Sequence, residues 1–259
     1  EVDLPMLAGF ALFNPALGMC TVVPEMNPSQ PSKINPKKIV DSILKNQVTN
    51  SFGSPVIWSI ILKYCQAEQI VLPSLKRVIM AGAPAPQALL EQLKEYMPNG
   101  EIFTPYGATE ALPVSSLSAT EIIEKQVGEL AYGRKGNCVG RAMPNTRIQI
   151  IEPDEGVIGS IANVKECVTG EIGEIIVSGP TVTQMYDELP EATKLSKIKD
   201  IDFFWHRMGD MGWVDEAGFL WFCGRKAERV KANEGILETV CCEAIFNQLE
   251  CVSRSALID

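Results

Sequence analysis

Histidine is nearly absent from this chain: His206 is the single copy in 259 residues. Any Ser-His pair would have to use it, and no G-x-S-x-G elbow supplies the serine, so packing or capping beside the following Met-Gly-Asp turn is its expected role. Positive charge is also scarce, with 23 Lys and Arg against 32 Asp and Glu and a net charge of -9. No stretch interleaves basic and aromatic residues, which argues against nucleic acid and for a small-molecule partner. Eight cysteines are present, but C-x-x-C spacing and N-x-[ST] sequons are missing. Reduced thiols in a cytoplasmic chain are therefore expected. Adjacent Cys241 and Cys242 lack a second pair at ligand spacing and are assigned to core packing rather than metal. Long uninterrupted apolar runs are missing too. The nearest, "MLAGFALFNPALGMCTVV" at 6–23, is broken by Asn14-Pro15, so no integral membrane span is expected and the segment is assigned to buried core. Repeats and low-complexity tracts are absent.

What is present suffices for a folded protein: 46% hydrophobic and 21% charged residues over this length support one large or two medium domains. "NPSQPSKINPKK" reads as a Pro-rich loop, and "KKIVDSILKNQ" carries Ile39, Val40, Ile43 and Leu44 at helical spacing. "VTNSFGSP" reads as a short β-prone run and "PVIWSIILKYCQ" as a helix opened by Pro55. "RVIM" then reads as a buried strand, residues 83–97 as a Pro-initiated amphipathic helix, and "EIF" as another strand. This order implies right-handed crossovers and a parallel sheet. After residue 112 short β segments such as "RIQII", "GEIGEIIVSG" and "GWVDEAGFLWFCG" alternate with turn residues, the texture of an antiparallel sheet or small distorted barrel. The "EIIEKQ" stretch, 121–126, reads as an exposed turn or loop. The tail offers an amphipathic helix around "CCEAIFNQ" and a strand at "SALI". The expected class is α/β: a parallel sheet with flanking helices, then a small antiparallel distorted β-barrel subdomain, then the start of an α+β domain. The expected divisions are 1–115, 116–224 and 225–259.

Ligands of parallel α/β sheets bind beyond the carboxyl ends of the strands, which directs attention to "AGAP" after "RVIM" and to "TPYGATE" after "EIF". Gly82 would let backbone approach a flat ligand, Tyr106 can stack on an aromatic base, and Gly107 tolerates an unusual backbone angle. Thr109 offers a hydroxyl to phosphate, and Glu110 is the type of hard oxygen ligand that Mg2+ takes. An ordinary loop is the competing reading. A second constellation lies in "MGDMGWVDEAGFLWFCGRKAERVK", 208–231. Asp210 could accept hydrogen bonds from two ribose hydroxyls, and Arg225 could offer a planar fork to ribose or phosphate oxygen. The competing reading there is a hairpin whose Asp and Arg form turn contacts or pair with each other.

The two constellations occur in an order and register that resembles the adenylate-forming enzymes, which include acyl-CoA synthetases, luciferases and peptide-synthetase adenylation domains. "AGAP", "YGATE", "GDMGWVDEAG" and "GRKAERVK" carry the likeness, which covers nearly the whole chain. It implies that Gly82, Ala83 and Pro84 wall the adenine and acyl pocket and that Tyr106 stacks on adenine. It further implies that Thr109 and Glu110 serve phosphate and Mg2+, and that Asp210 and Arg225 hold the ribose of ATP or AMP. "FTPYGATEALPVSS", "FWHRMGDMGWVDEAGFLWFCGRK" and "CCEAIFN" are most similar to the β-lactone synthetases of bacterial long-chain olefin biosynthesis. That likeness implies activation of a 2-alkyl-3-hydroxy fatty acid as its acyl-adenylate, followed by displacement of AMP by the acid's own hydroxyl. It also implies association with other enzymes of a long-chain lipid pathway. A fatty acyl-CoA ligase, which would add CoA as a substrate, is the alternative. A nucleotide-binding module without chemistry, and an interaction domain that kept only the fold, are alternatives from other classes. By the same likeness Phe10, Phe13, Leu17 and Met19 either line an acyl channel or belong to the core.

The departures from the family pattern are specific. Met208 stands in place of the usual Thr, Ala227 in place of a charged hinge residue two positions after the Arg, and Cys241 in place of the Pro common two residues before Glu243. No phosphate loop ending in Pro-Lys precedes "EVDLP" and no Gly-Lys segment follows "SALID". An internal portion of such an enzyme, inactive by itself, is therefore the expectation.

Overall fold

The computed structural model describes residues 1–124, 136–201, 203–233, 235–247, 249, 251, 252 and 254–258. They fall into two compact units, one formed by Glu1–Pro105 with Ser118–Lys125 and the other by Tyr106–Leu117 with Gln126–Asp259. The 225–259 tail groups with the second unit.

The first unit is a parallel sheet with helices. β1 (Val2–Pro5), β2 (Cys20–Thr21), β3 (Asn50–Gly53), β4 (Arg77–Met80) and β5 (Glu101–Ala108, the first five residues of which belong here) stand in the order β2-β1-β3-β4-β5. Every neighbouring pair is parallel. Between the strands run α1 (Pro36–Lys45), α2 (Pro55–Glu68) and α3 (Gln87–Tyr96). Local chemistry sets the helix starts. Asn35 caps α1 by accepting from the Lys38 amide at 3.3 Å, and Ser54 caps α2 by accepting from the Ile57 amide at 3.4 Å; in each a proline fills the first position. The expected helix over 83–97 begins only at Gln87, because Pro86 keeps an extended backbone and cannot donate into a first turn. Leu4, Val78, Met80 and Ile102 of the strands pack with Ile39, Ile43, Trp58, Ile61, Leu90 and Leu93 of the helices, all essentially excluded from water. Each such side chain contributes about 1.5–3 kcal/mol by burial.

One expectation for this unit is overturned. Most of residues 6–23 are not core: Leu12 is 81% exposed, Phe13 64% and Leu17 71%, while Met6 is buried in the core and Val22 packs against it. The segment forms short 3-10 turns at Ala8–Leu12 and Pro15–Leu17, which bury one narrow face. That face is spent on Phe10, stacked on Phe52 at 4.3 Å, and on Asn14, which donates to the Asp3 carboxylate at 2.7 Å. Leu7, Leu12, Phe13, Leu17 and Val23 point to solvent. Phe13 and Leu17 therefore lose their core alternative.

The second unit is antiparallel. Its strands are β6 (Ala111–Ser118), β7 (Asn137–Ala142), β8 (Arg147–Ile151), β9 (Gly173–Ser178), β10 (Lys197–Lys199), β11 (Phe204–Val214) and β12 (Leu220–Arg225). They follow the order β6-β7-β12-β11-β9-β8, with β10 pairing β11. α4 (Ala119–Glu124) follows β6 and packs with the first unit; α5 (Pro190–Ser196) precedes β10. The remainder of the expected "EIIEKQ" turn, 125–126, lies outside the described residues. Beyond β12, β13 (Val230–Ala232) and β14 (Gly235–Leu237) make a separate hairpin before α6 (Thr239–Phe246). The strand expected at "SALI" does not form: residues 255–258 have no ladder partner, and Ser255 instead donates its amide to the Asn247 side chain at 2.6 Å. Ala111, Val114, Ile150, Ile175, Val177, Met208 and Leu220 form this unit's central core. Among the described residues no helix is long and apolar enough to cross a membrane.

Candidate functional site

The "YGATE" residues are not a loop after a three-residue strand. β5 continues through Ala108, and Thr109 and Glu110 make the turn to β6. The unusual backbone angle expected of Gly107 is not found, for it has no left-handed angle. It is needed for space: a Cβ there would lie 2.6 Å from the Ala111 carbonyl oxygen and 2.8 Å from a Leu112 methyl. Gly82, after β4 in the first unit, does adopt a left-handed angle, φ 90°, with open space where a Cβ would stand. Ala83 and Pro84 follow it in the same loop, described with that unit alone.

In the second unit three of the expected residues meet. Asp210 lies opposite Arg225 in the β11–β12 ladder, and Arg225 Nη1 donates to its carboxylate at 2.9 Å. The Tyr106 hydroxyl donates to the other carboxylate oxygen. Pairing of β11 with β9 is interrupted between Arg207 and Met211, and Gly209 takes φ 69°, so a bulge frees Asp210 from the β9 pairing while it stays opposite Arg225 in the β12 pairing. Asp210 is 3% exposed. Burial raises its carboxyl above the ordinary value, opposed by the Tyr106 and Arg225 hydrogen bonds. Burial and the neighbouring Asp210 carboxylate hold the Tyr106 phenol protonated, well above its ordinary range. The Tyr106 ring lies 6.0 Å from that of Phe222 at a 44° tilt, which fixes its plane.

A cleft of about 490 Å³ opens beside this group, lined by Thr109, Glu110, Tyr186, His206, Gly209 and Arg225 among others. Glu110 accepts from the Tyr186 hydroxyl at 2.7 Å, and this bond, against partial burial, lowers its carboxyl below the ordinary range. Among the described residues no cation approaches Glu110 within ion-pair distance; Lys197 acts on it only through space, so the ionised carboxylate faces the cleft without a contact ion pair. That is a donor suited to Mg2+. His206 is 3% exposed; burial, then Lys197, pull its ring down to about 4. It is neutral at physiological pH, with Nδ1 donating to the Ser196 carbonyl oxygen at 3.3 Å. It is thus packed as expected, but inside the cleft wall.

Behind the bulge Arg207 is held rigidly. Nε and Nη2 both reach the Glu174 carboxylate at 2.8 Å, and Nη1 donates to the carbonyls of Gly156 at 2.7 Å and Leu195 at 3.1 Å. Lys226, next to Arg225, donates to the same Glu174 at 3.1 Å. This fully hydrogen-bonded buried group anchors both strands that carry Asp210 and Arg225.

Residues 6–187 match the family described as AMP-binding enzyme. The chain belongs to the AMP-binding enzyme family. Over 99% of its length the family member is 38% identical to an olefin beta-lactone synthetase of Stenotrophomonas maltophilia, covering 47% of that protein. It is 30% identical over 78% of its length to a mitochondrial medium-chain acyl-CoA ligase of Mus musculus, covering 30% of that protein. It spans about half or less of the curated relatives it matches. The o-succinylbenzoate coenzyme A synthetase of Bacillus subtilis in complex with AMP superposes with a TM-score of 0.75 at 22% identity, over all of this chain and 48% of that one, which shows the fold.

Two residues near the cleft of this AMP-binding family chain carry no sequence signal: Tyr186 and Lys197. Each sits in a stretch without motif spacing, "QMYDELP" and "KLSKIKD", and takes its place only through long-range pairing; Arg207 lies in the quoted "FWHRMGDMGWVDEAGFLWFCGRK" stretch, whose motif points to Asp210 and Arg225 rather than to it. Among the described residues no group of His, Cys, Asp and Glu is arranged to hold a metal by itself, and no two of the cysteines form a disulfide.

Proposed function

We propose that this chain carries the nucleotide site of an adenylate-forming ligase that activates a fatty-type carboxylic acid as acyl-AMP. The acid in this reading is a 2-alkyl-3-hydroxy acid, which then closes to a β-lactone. The observation that carries the reading is the convergence of Tyr106, Asp210 and Arg225 beside a cleft into which the Thr109–Glu110 turn projects. The buried Asp210 carboxylate is the acceptor for ribose hydroxyls, with Arg225 oriented to join it. Tyr106 offers its ring to adenine, with Gly82, Ala83 and Pro84 proposed as the wall of the adenine and acyl pocket. Thr109 donates to a phosphate oxygen. Glu110 would hold Mg2+, which when bound supplies positive charge against the phosphates.

In the first half-reaction a substrate carboxylate oxygen bonds to the α-phosphorus of ATP and pyrophosphate leaves with the electron pair of the broken P–O bond. In the second, the acid's 3-hydroxyl oxygen bonds to the acyl carbon, AMP leaves with the C–O electron pair, and the hydroxyl proton passes to solvent or base. Holding nucleophile and electrophile in one molecule makes the closure unimolecular. The similarity to an olefin beta-lactone synthetase over nearly the whole chain supports this choice. Similarity to an acyl-CoA ligase supports a second reading, in which CoA is the acceptor. We further place the reaction in the cytoplasm, beside other enzymes of a long-chain lipid pathway.

The test supplies the full-length gene product with ATP, Mg2+ and a 2-alkyl-3-hydroxy acid, with and without CoA. AMP and β-lactone without CoA are expected. Acyl-CoA formed only when CoA is added would replace the first reading by the second, and no AMP under either condition would contradict both.

A further inference from the structure

Glu110 is held by a bracket that the adenylate reading does not use. The segment at 182–186 runs against its turn: Ala111 and Val182 form a β-bridge, the Thr183 amide donates to the Glu110 carbonyl at 2.8 Å, and the Tyr186 hydroxyl donates to the Glu110 carboxylate at 2.7 Å. The bracket is itself fixed. The Tyr186 amide donates to the Thr193 hydroxyl at 3.0 Å. Lys197, 6% exposed, donates to the Thr183 hydroxyl at 3.0 Å and places its ammonium 5.8 Å from the Tyr186 ring centre. Among the described residues Lys197 makes no direct ion pair; its charge lies by the hydroxyl and the ring and also acts through space on the Glu110 carboxylate.

A phenol that spends its one proton on one carboxylate oxygen removes the rotational freedom of that carboxylate and leaves the remaining lone pairs in a fixed direction. We propose that Tyr186 is a positioning residue for Glu110, orienting its carboxylate to take a divalent cation that accompanies a nucleotide phosphate. The proposal rests on the adenylate reading of the cleft. It assigns Tyr186 no contact with the nucleotide, only with the carboxylate, and it assigns Lys197 the task of holding Thr183 and the Tyr186 ring in place. Loss of one group that orients a metal ligand lowers metal affinity about 10- to 100-fold, whereas adenosine contacts made elsewhere are unaffected.

The test is calorimetric titration of the chain with AMP in EDTA, with ATP in EDTA, and with ATP plus Mn2+, for wild type, Tyr186→Phe, Glu110→Gln and the double variant. Thermal midpoints check that each is folded; the Phe variant keeps the ring against Lys197 and the backbone bond to Thr193. The expected result is that Tyr186→Phe leaves AMP affinity unchanged but cuts the Mn2+-dependent gain in ATP affinity by about tenfold. In the double variant the loss should not exceed that of Glu110→Gln alone, as for two residues acting through one ligand. An unchanged gain in Tyr186→Phe overturns the proposal, as does an equal fall in AMP affinity. A wild type that binds AMP without any Mn2+-dependent gain for ATP overturns it while leaving the adenosine site standing. A wild type that binds no nucleotide overturns the adenylate reading and this inference together.

Discussion

Tyr106 and Asp210 are 104 positions apart in the chain and joined by a hydrogen bond from phenol to carboxylate. The pair is prearranged: the carboxylate is desolvated and aimed before any ligand arrives, and the ring that would lie against a base is fixed by the same bond. Such a site loses little ordering entropy on binding.

Asp210→Ala removes the acceptor and strands both Tyr106 and Arg225. The expected fall in AMP affinity is about 1.5–3 kcal/mol, the range for hydrogen bonds to a charged group. Calorimetry with AMP measures it, and an unchanged affinity would remove Asp210 from the site.

Glu174 carries the scaffold behind the bulge, bonded to Arg207 and Lys226 with 1% of its side chain exposed. Glu174→Ala removes the buried carboxylate shared by Arg207 and Lys226, and the expected destabilisation is about 3–5 kcal/mol in urea denaturation. A loss below about 1 kcal/mol, the scale of an exposed ion pair, would show that the group is not a structural anchor.

The single histidine makes one pH effect directly readable. His206 titrates near 4 in the fold against 6.5 for a free imidazole. Its folded value is depressed, so between those limits the unfolded chain binds a proton that the folded chain does not. Its contribution to stability is therefore intact above pH 6.5 and declines as pH falls from 6.5 to about 4. The lone imidazole resonance in proton NMR should stay in its neutral position down to about pH 5. A midpoint near the free value would place the ring in solvent rather than in the cleft wall.

Much of this architecture is legible in the residues themselves, and the failures have physical causes. "RVIM" is β4 to the residue, and Ser54-Pro55 opens α2 because cap and first-turn chemistry are local. The Asp210 and Arg225 hairpin is readable from its turn residues at 215–218. By contrast β5 outran "EIF" because the reason for Gly107 lies in the crowding at Ala111 and Leu112, which only folding creates. The apolar 6–23 stretch looked like core because composition cannot tell a full helix from 3-10 turns with one narrow face. "SALI" had the composition of a strand but no partner to pair with. Tyr106, Thr109 and Glu110 were singled out by spacing, whereas Tyr186 and Lys197 sit in unremarkable sequence and reach the cleft through the bracket at 182–186 and the β10–β11 pairing.

The most direct test of the central claim is calorimetric titration of the chain with AMP and a non-hydrolysable acyl-adenylate, in parallel with Tyr106→Ala shown to be folded. The account predicts saturable binding of both ligands by the wild type and its loss in the variant. Folded wild type that binds neither, or a variant that binds both as tightly, would contradict it.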